Sequence, residues 1–241
     1  VNLVLTVTRN CQDLTKRMSK SVKGQDIPTE IIYVDNGSTD GSRDWLENAS
    51  STHLLFGVNT GVSHAWNMGI DLAFSFRHNG RYCDHLLVAN NDVELAPWTY
   101  SLLLDYDIPF ITGVATDSLA EIAQPRPAKG PLEDHPDFSL FLIRRDAWMK
   151  IGRFDERMML YAQDCDYHIR GWRLGVEMKK ACVPYFHVSS GTIKNAPEEE
   201  RMWIAEQAHR DRVTFENLYG CLPGTEEYYS MFNESCFGAA K

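Results

Sequence analysis

The chain has 241 residues, 44% of them hydrophobic and 24% charged, with a formal net charge of −9. This is the balance of a globular protein with one large domain, or one domain and an appendage, and it excludes extensive disorder. The negative charge argues against a broad nucleic-acid interface, which needs a basic face, and no apolar run approaches the roughly 20 residues of a membrane span. The six cysteines (Cys11, Cys83, Cys165, Cys182, Cys221, Cys236) form no C-x-x-C pair. Neither zinc-ligand spacing nor a disulfide framework is therefore expected, and a reducing, cytoplasmic setting is.

The opening run to Val7 lacks the charged flank of a signal peptide and reads as a first strand. Leu14, Met18 and Val22 then recur at helical spacing. Ile31 to Val34 reads as a second buried strand. It ends in the turn and cap residues Asp35-Asn36-Gly37-Ser38-Thr39-Asp40-Gly41-Ser42, from which a helix through Trp45 and Leu46 starts. His53 to Phe56 is a short strand, and Val62 to Phe76 a helix with Ala65, Trp66, Gly69, Ile70, Ala73 and Phe74 on one side. Leu86 to Ala89 is an apolar strand that stops abruptly in Asn90-Asn91-Asp92.

The second half is less regular. Strands are expected at Phe110 to Val114, Phe138 to Ile143 and Met178 to Val188, and helices at Asp146 to Ile151, Ala162 to Trp172 and Pro197 to Leu218. A Pro-rich surface loop is expected at Gln124 to Pro131, and the last twenty residues have no assigned structure. Strands alternating with helices in this way predict an α/β domain with a mostly parallel central sheet flanked by helices. The expected division is residues 1–195 as the main domain, in halves 1–95 and 96–195, with 196–241 a C-terminal helical extension packed on it. No G-x-G-x-x-G follows the first strand and no P-loop occurs, so dinucleotide-binding and P-loop readings lose their support.

Three acidic stations stand out. Asp35 and Asp92 end sheet strands, and open α/β sheets bind ligands outside that edge. Asp164 and Asp166 lie two apart on one helix, about 200° around its axis, so both cannot face one site. Asp166 precedes Arg170 by four residues and suits an ion pair, which leaves Asp164 for the site. His187 ends a strand beside Ser189, Ser190 and Gly191, and it could complete an Asp92-centred site, since Mn²⁺ accepts mixed oxygen and imidazole ligands.

In this order the motifs resemble those of family-2-type inverting glycosyltransferases with the GT-A (nucleotide-diphospho-sugar transferase) fold, a group that includes many rhamnosyl- and glucosyltransferases. The carrying segments are Ile31 to Ser42, Asn59-Thr60-Gly61 with Ala65 to Gly69, and Asn90-Asn91-Asp92 in the place of a D-x-D motif. Gly152-Arg153-Phe154-Asp155-Glu156 followed by Gln163-Asp164-Cys165-Asp166, and His187 with Gly191-Thr192, complete the set. Each segment is weak alone; five in the correct order are specific.

The resemblance implies a metal-dependent hexosyltransferase of carbohydrate biosynthesis. It would move a sugar from a UDP- or dTDP-sugar, glucose or rhamnose, to a glycan, lipid-linked or protein acceptor. Asp164 would be the general base of a direct displacement. Asp92 and His187 would hold Mn²⁺ or Mg²⁺. Asp35 would contact the base or ribose near Thr8 and Arg9, with Asn36, Ser38, Asn59, Gly61, Asn67, Asn90 and Asn91 completing the donor site. Acceptor contacts are expected between Pro125 and Pro136 and around Trp148 and Trp172. The enzyme would be cytoplasmic, with peripheral membrane association an option. Asn90 and Gln163 depart from the family pattern, which has acids at both positions. They favour the alternative of a catalytically silent sugar-nucleotide or glycan-binding domain. A nucleotidyltransferase ranks last, because Thr6 to Asn10 contains no glycine.

Overall fold

The computed structural model describes residues 2–49, 51–78, 80–188 and 196–232. Ser189, Ser190, Gly191 and Thr192 of the expected histidine motif lie outside the described residues. The strands are β1 (Asn2–Thr8), β2 (Thr29–Asn36), β3 (Thr52–Phe56), a small hairpin of β4 (Arg77–His78) and β5 (Arg81–Tyr82), β6 (His85–Ala89), β7 (Val93–Leu95), β8 (Phe110–Thr116), β9 (Leu132–Glu133), β10 (Leu140–Arg144) and β11 (Met178–His187). The helices are α1 (Gln12–Lys23), α2 (Ser42–Glu47), α3 (Val62–Ser75), α4 (Thr99–Asp105), α5 (Leu119–Ile122), α6 (Arg145–Ile151), α7 (Gln163–Arg173), α8 (Glu198–Tyr219) and α9 (Glu226–Ser230). Among the described residues no helix is long and apolar enough to cross a membrane.

The main sheet runs β3-β2-β1-β6-β10-β8-β11-β7, with β9 on β11. Its first four strands are parallel. β10 runs antiparallel to both its neighbours, β6 and β8, so the sheet is mixed. This reversal matters for the site. Leu140 at the start of β10 pairs with Ala89 at the end of β6, so the amino end of β10 opens on the edge formed by the carboxyl ends of β1, β2 and β6. β11 is parallel to β8 and carries His187 to that same edge, opposite Val93 of β7.

Alternation along the strands builds two apolar layers. Leu3, Leu5, Ile32, Val34, Leu86 and Val88 pack with Trp66, Ile70 and Phe74 of α3, and with Phe141, Trp148 and Tyr167. Val4, Ile31, Tyr33 and Leu87 pack on the other face with Met18 and Val22 of α1, Leu46 of α2 and Tyr100 of α4. Each such aliphatic side chain contributes about 1.5–3 kcal/mol on burial. α3 sits unusually close to the sheet because Gly69 has no side chain; a Cβ there would meet Leu5 Cδ1 at 2.5 Å.

A third cluster joins the C-terminal helices to α7. Met158, Ala162 and Ile169 pack against Phe215, Cys221 and Tyr228. Tyr219 of α8 donates to Asp166 at 2.7 Å, and Asp166 also pairs with Arg170 as its four-residue spacing predicts. The structure corrects the expectation for Trp148. It is a core residue, 4% exposed, whose indole N–H donates to Asp71 at 2.9 Å.

Candidate active site

The sheet edge gathers Asp92, Asp137, Asp164 and His187 from four separate segments. Asp92 follows β6 in a tight turn and is 8% exposed. Its Oδ1 lies 3.3 Å from His187 Nε2, and its carbonyl accepts from Val188 N–H at 3.0 Å. The hydrogen bond to Asp92 raises the His187 pKa above its ordinary value, against the opposing effect of burial, and Asp137 adds to the rise.

Asp164 stands in the first turn of α7, just after Ala162, whose φ is +64°. The preceding loop is tied to the sheet edge. Val62 N–H donates to Met159 O at 2.8 Å, and Gly61, with φ +86°, would drive a Cβ to 2.2 Å from the Met159 side chain. Solvent still reaches Asp164, yet surrounding protein desolvates it and raises its pKa, and the charge of Asp137 adds to the effect. A carboxylate raised in this way is a better proton acceptor near neutrality than an ordinary one.

Asp137 is the residue that sequence reasoning missed. It precedes β10, its Oδ1 accepts from Ser139 N–H at 2.9 Å, and Ser139 O accepts from Asn90 N–H at 3.0 Å. The available signal was an acid abutting an apolar strand, as at Asp35 and Asp92, but at the amino end of a strand that runs the other way.

Several of the expected donor-site residues prove to be committed to the protein itself. Asp35 is 0% exposed and both its oxygens accept from Ser38 N–H, at 3.3 and 3.2 Å. Ser38 Oγ accepts from Asn10 N–H at 2.8 Å. Thr8 and Thr15 share a 2.8 Å hydroxyl contact beside the Asn91 amide. Asn36 donates to Asn59 Oδ1 and Gly61 O, both at 3.1 Å, and accepts from Thr60 N–H at 2.8 Å. Asn67 is buried and spent on Phe154 and Glu156. It locks α3 to the loop ahead of α7, a positioning role that replaces the expected donor contact. Arg9, Asn59 and Asn90 are the expected donor-site residues that retain solvent access.

Asp92 and His187 offer one carboxylate and one imidazole. Hard divalent ions at phosphate sites are commonly held by one or two side chains, with water and substrate phosphates completing the shell. The pair fits Mn²⁺ or Mg²⁺ as such a partial shell. Among the described residues no group of three or more His, Cys, Asp or Glu side chains encloses an ion. A larger cavity of about 910 Å³, lined by Lys23, Trp45, Arg77 and Tyr82 among others, opens at the opposite, amino edge of the parallel strands and is separate from this chemistry.

Residues 3–107 match the family model Glycosyl transferase family 2. No curated protein sequence matches the chain. Among solved structures, the mannosyltransferase PcManGT from Pyrobaculum calidifontis, in complex with GDP-Man and Mn²⁺, is similar over 96% of this chain and 67% of that one, at 15% identity and a TM-score of 0.64. S. aureus TarS 1–349 in complex with UDP is similar over 92% of this chain and 72% of that one, at 13% identity and a TM-score of 0.56. A further crystal structure of S. aureus TarS 1–349 gives 14% identity, 96% and 78% coverage, and a TM-score of 0.58. The curled mixed sheet flanked by helices is the GT-A fold. The family match ends before Asp137, Asp164 and His187, which lie in the half of the chain beyond it.

Proposed function

We propose that this chain, a glycosyltransferase of the GT-A fold, transfers a hexose from a nucleoside-diphosphate sugar to an acceptor hydroxyl by direct, inverting displacement. The observation that carries this reading is the convergence of Asp92, His187, Asp137 and a raised-pKa Asp164 on one sheet edge. Asp164 accepts the proton of the attacking hydroxyl. In-line attack through an oxocarbenium-like state inverts the anomeric centre. Asp92 and His187 are the residues that would hold a divalent ion, which when bound neutralises charge on the departing diphosphate. Arg9, bonded to the carbonyls of Asn36 and Gly37, fixes a cation at the mouth of the nucleotide pocket. UDP- or dTDP-linked glucose or rhamnose is the donor class, and the UDP complex of TarS supports a uracil base. The reaction would take place in the cytoplasm.

The second reading is a silent sugar-nucleotide-binding domain. It draws on Asn90 and on Gln163, whose buried Oε1 has no hydrogen-bond partner among the described residues. A thermal-shift screen of nucleoside diphosphates and sugar nucleotides, with and without Mn²⁺, followed by an assay of donor hydrolysis, separates the two. Metal-dependent hydrolysis that Asp92→Ala abolishes supports the enzyme. Nucleotide binding without turnover supports the silent domain, and no stabilisation by any nucleotide defeats both.

A further inference from the structure

Asp164, His168 and Trp172 follow one another at four-residue spacing on α7 and so form one stripe. Each step along it rises about 6 Å, which is near the length of one pyranose residue in a chain. The facing wall runs in step. Asp137 acts on Asp164, and two residues earlier the ring of His135 lies 5.7 Å from that of His168. From one to two turns along α7 beyond the candidate base, at the His168–Trp172 end of the helix, is a cavity of about 250 Å³ lined by Asp134, His135, His168, Trp172, Lys179 and Phe232, with Val176, Glu177 and Met178. This is below the roughly 300–1,000 Å³ of drug-sized pockets and suits a single ring.

The lining selects a neutral, hydroxyl-rich occupant. Trp172 and Phe232 meet edge to face at 5.4 Å, and Phe232 stacks on His168 at 4.2 Å; such rings favour the apolar face of a pyranose. Asp134 is held by Lys179 at 2.6 Å and keeps lone pairs for sugar hydroxyls. His168 accepts or donates at Nδ1 with Tyr228 at 3.1 Å, and burial drives its pKa down to about 3, so the ring is neutral. Two carboxylates, Asp134 and Glu177, against one lysine disfavour an anionic guest such as a lipid diphosphate.

We propose that this cavity is an acceptor subsite for the second sugar residue of a glycan whose terminal residue presents its hydroxyl to Asp164. The acceptor class is therefore an oligosaccharide of at least two residues. This rests on the glycosyltransferase reading, but it is tested separately from it.

The test applies the labelled 241-residue chain to an array of defined glycans, from single sugars to hexasaccharides. The expected result is retention on a subset of glycans of two or more residues and none on the matching single sugars. Trp172→Ala and Asp134→Asn should each weaken retention about tenfold, and Trp172→Phe should largely restore it. His135→Gly removes an imidazole at an exposed position of φ +64°, where glycine is at ease, and should weaken retention without lowering Tm. Equal retention of single sugars, no retention of any glycan, or undiminished retention by these variants would overturn the proposal. Donor hydrolysis by the wild-type chain without acceptor reports the glycosyltransferase reading independently. If hydrolysis fails while glycans are retained, that reading falls and the sugar-binding cavity stands.

Discussion

Arg9 at the end of β1 and Glu200 in the first turn of α8 form a 2.7 Å ion pair, joining segments 191 residues apart. Both side chains are partly shielded, at 25% and 16% exposure. The same guanidinium donates to Gly37 O at 2.6 Å. The C-terminal helix thus neutralises the cation assigned above to the proposed donor pocket. Glu200→Gln keeps the shape and removes the charge, leaving Arg9 with surplus positive potential. UDP should bind about 3–10-fold tighter to this variant at low ionic strength, and the difference should shrink as salt is added. Isothermal titration at two salt concentrations checks this; weaker UDP binding would show that Glu200 acts by orienting Arg9.

Asp164→Asn removes the proposed base while leaving its volume. Turnover should fall about 10²–10⁴-fold with nucleotide-induced thermal shifts retained. In the wild type the base works only when deprotonated, and its pKa is raised. The acid limb of kcat/KM should therefore lie above the usual carboxylate range. Stability should move oppositely. A carboxyl whose folded pKa exceeds its unfolded value stabilises fully below the unfolded pKa and loses that contribution as pH rises through the folded one. Asp164→Asn should then be more stable than wild type near neutral pH, by about 2–4 °C in Tm for each kcal/mol gained. The advantage should vanish in acid.

Asp137→Asn preserves the acceptor oxygen that receives Ser139 N–H but deletes a charge that raises Asp164. The acid limb of the rate profile should move to lower pH in this variant. An unmoved limb would mean that the limb belongs to a group other than Asp164.

The parallel half of the fold was legible because its strands are buried on both faces and read as unbroken apolar runs, as at Ile31–Val34 and Leu86–Ala89. β7 and α4 were not, since Val93-Glu94-Leu95 and Thr99–Asp105 are too short for a period to show. Asp137 was hidden by assuming that polar residues matter only at strand carboxyl ends, an assumption that antiparallel β10 breaks. Glu200 read as an acid favoured at a helix start, and nothing local could reveal its distant partner. Asn67 shows the converse: its motif was visible, but only the bonds to Phe154 and Glu156 reveal that it serves the scaffold.

Asp211 of α8 is 0% exposed, and its Oδ2 accepts from Leu160 and Tyr161 N–H at 2.7 and 2.9 Å, while Gln207 donates to Oδ1 at 2.8 Å. Those two amides lie immediately before Ala162 and the turn that presents Asp164. Asp211→Ala would strand both part-buried donors, at a cost of about 1–3 kcal/mol, and would loosen the approach to α7. Urea unfolding should register the stability loss, and kcat should fall although Asp211 contacts no reacting group. Asp211→Asn keeps an oxygen at the site and should recover part of both. If Asp211→Ala lost stability but kept full kcat, the α8 contact would serve folding alone, and the placement of Asp164 would have to depend on Gly61 and Met159 instead.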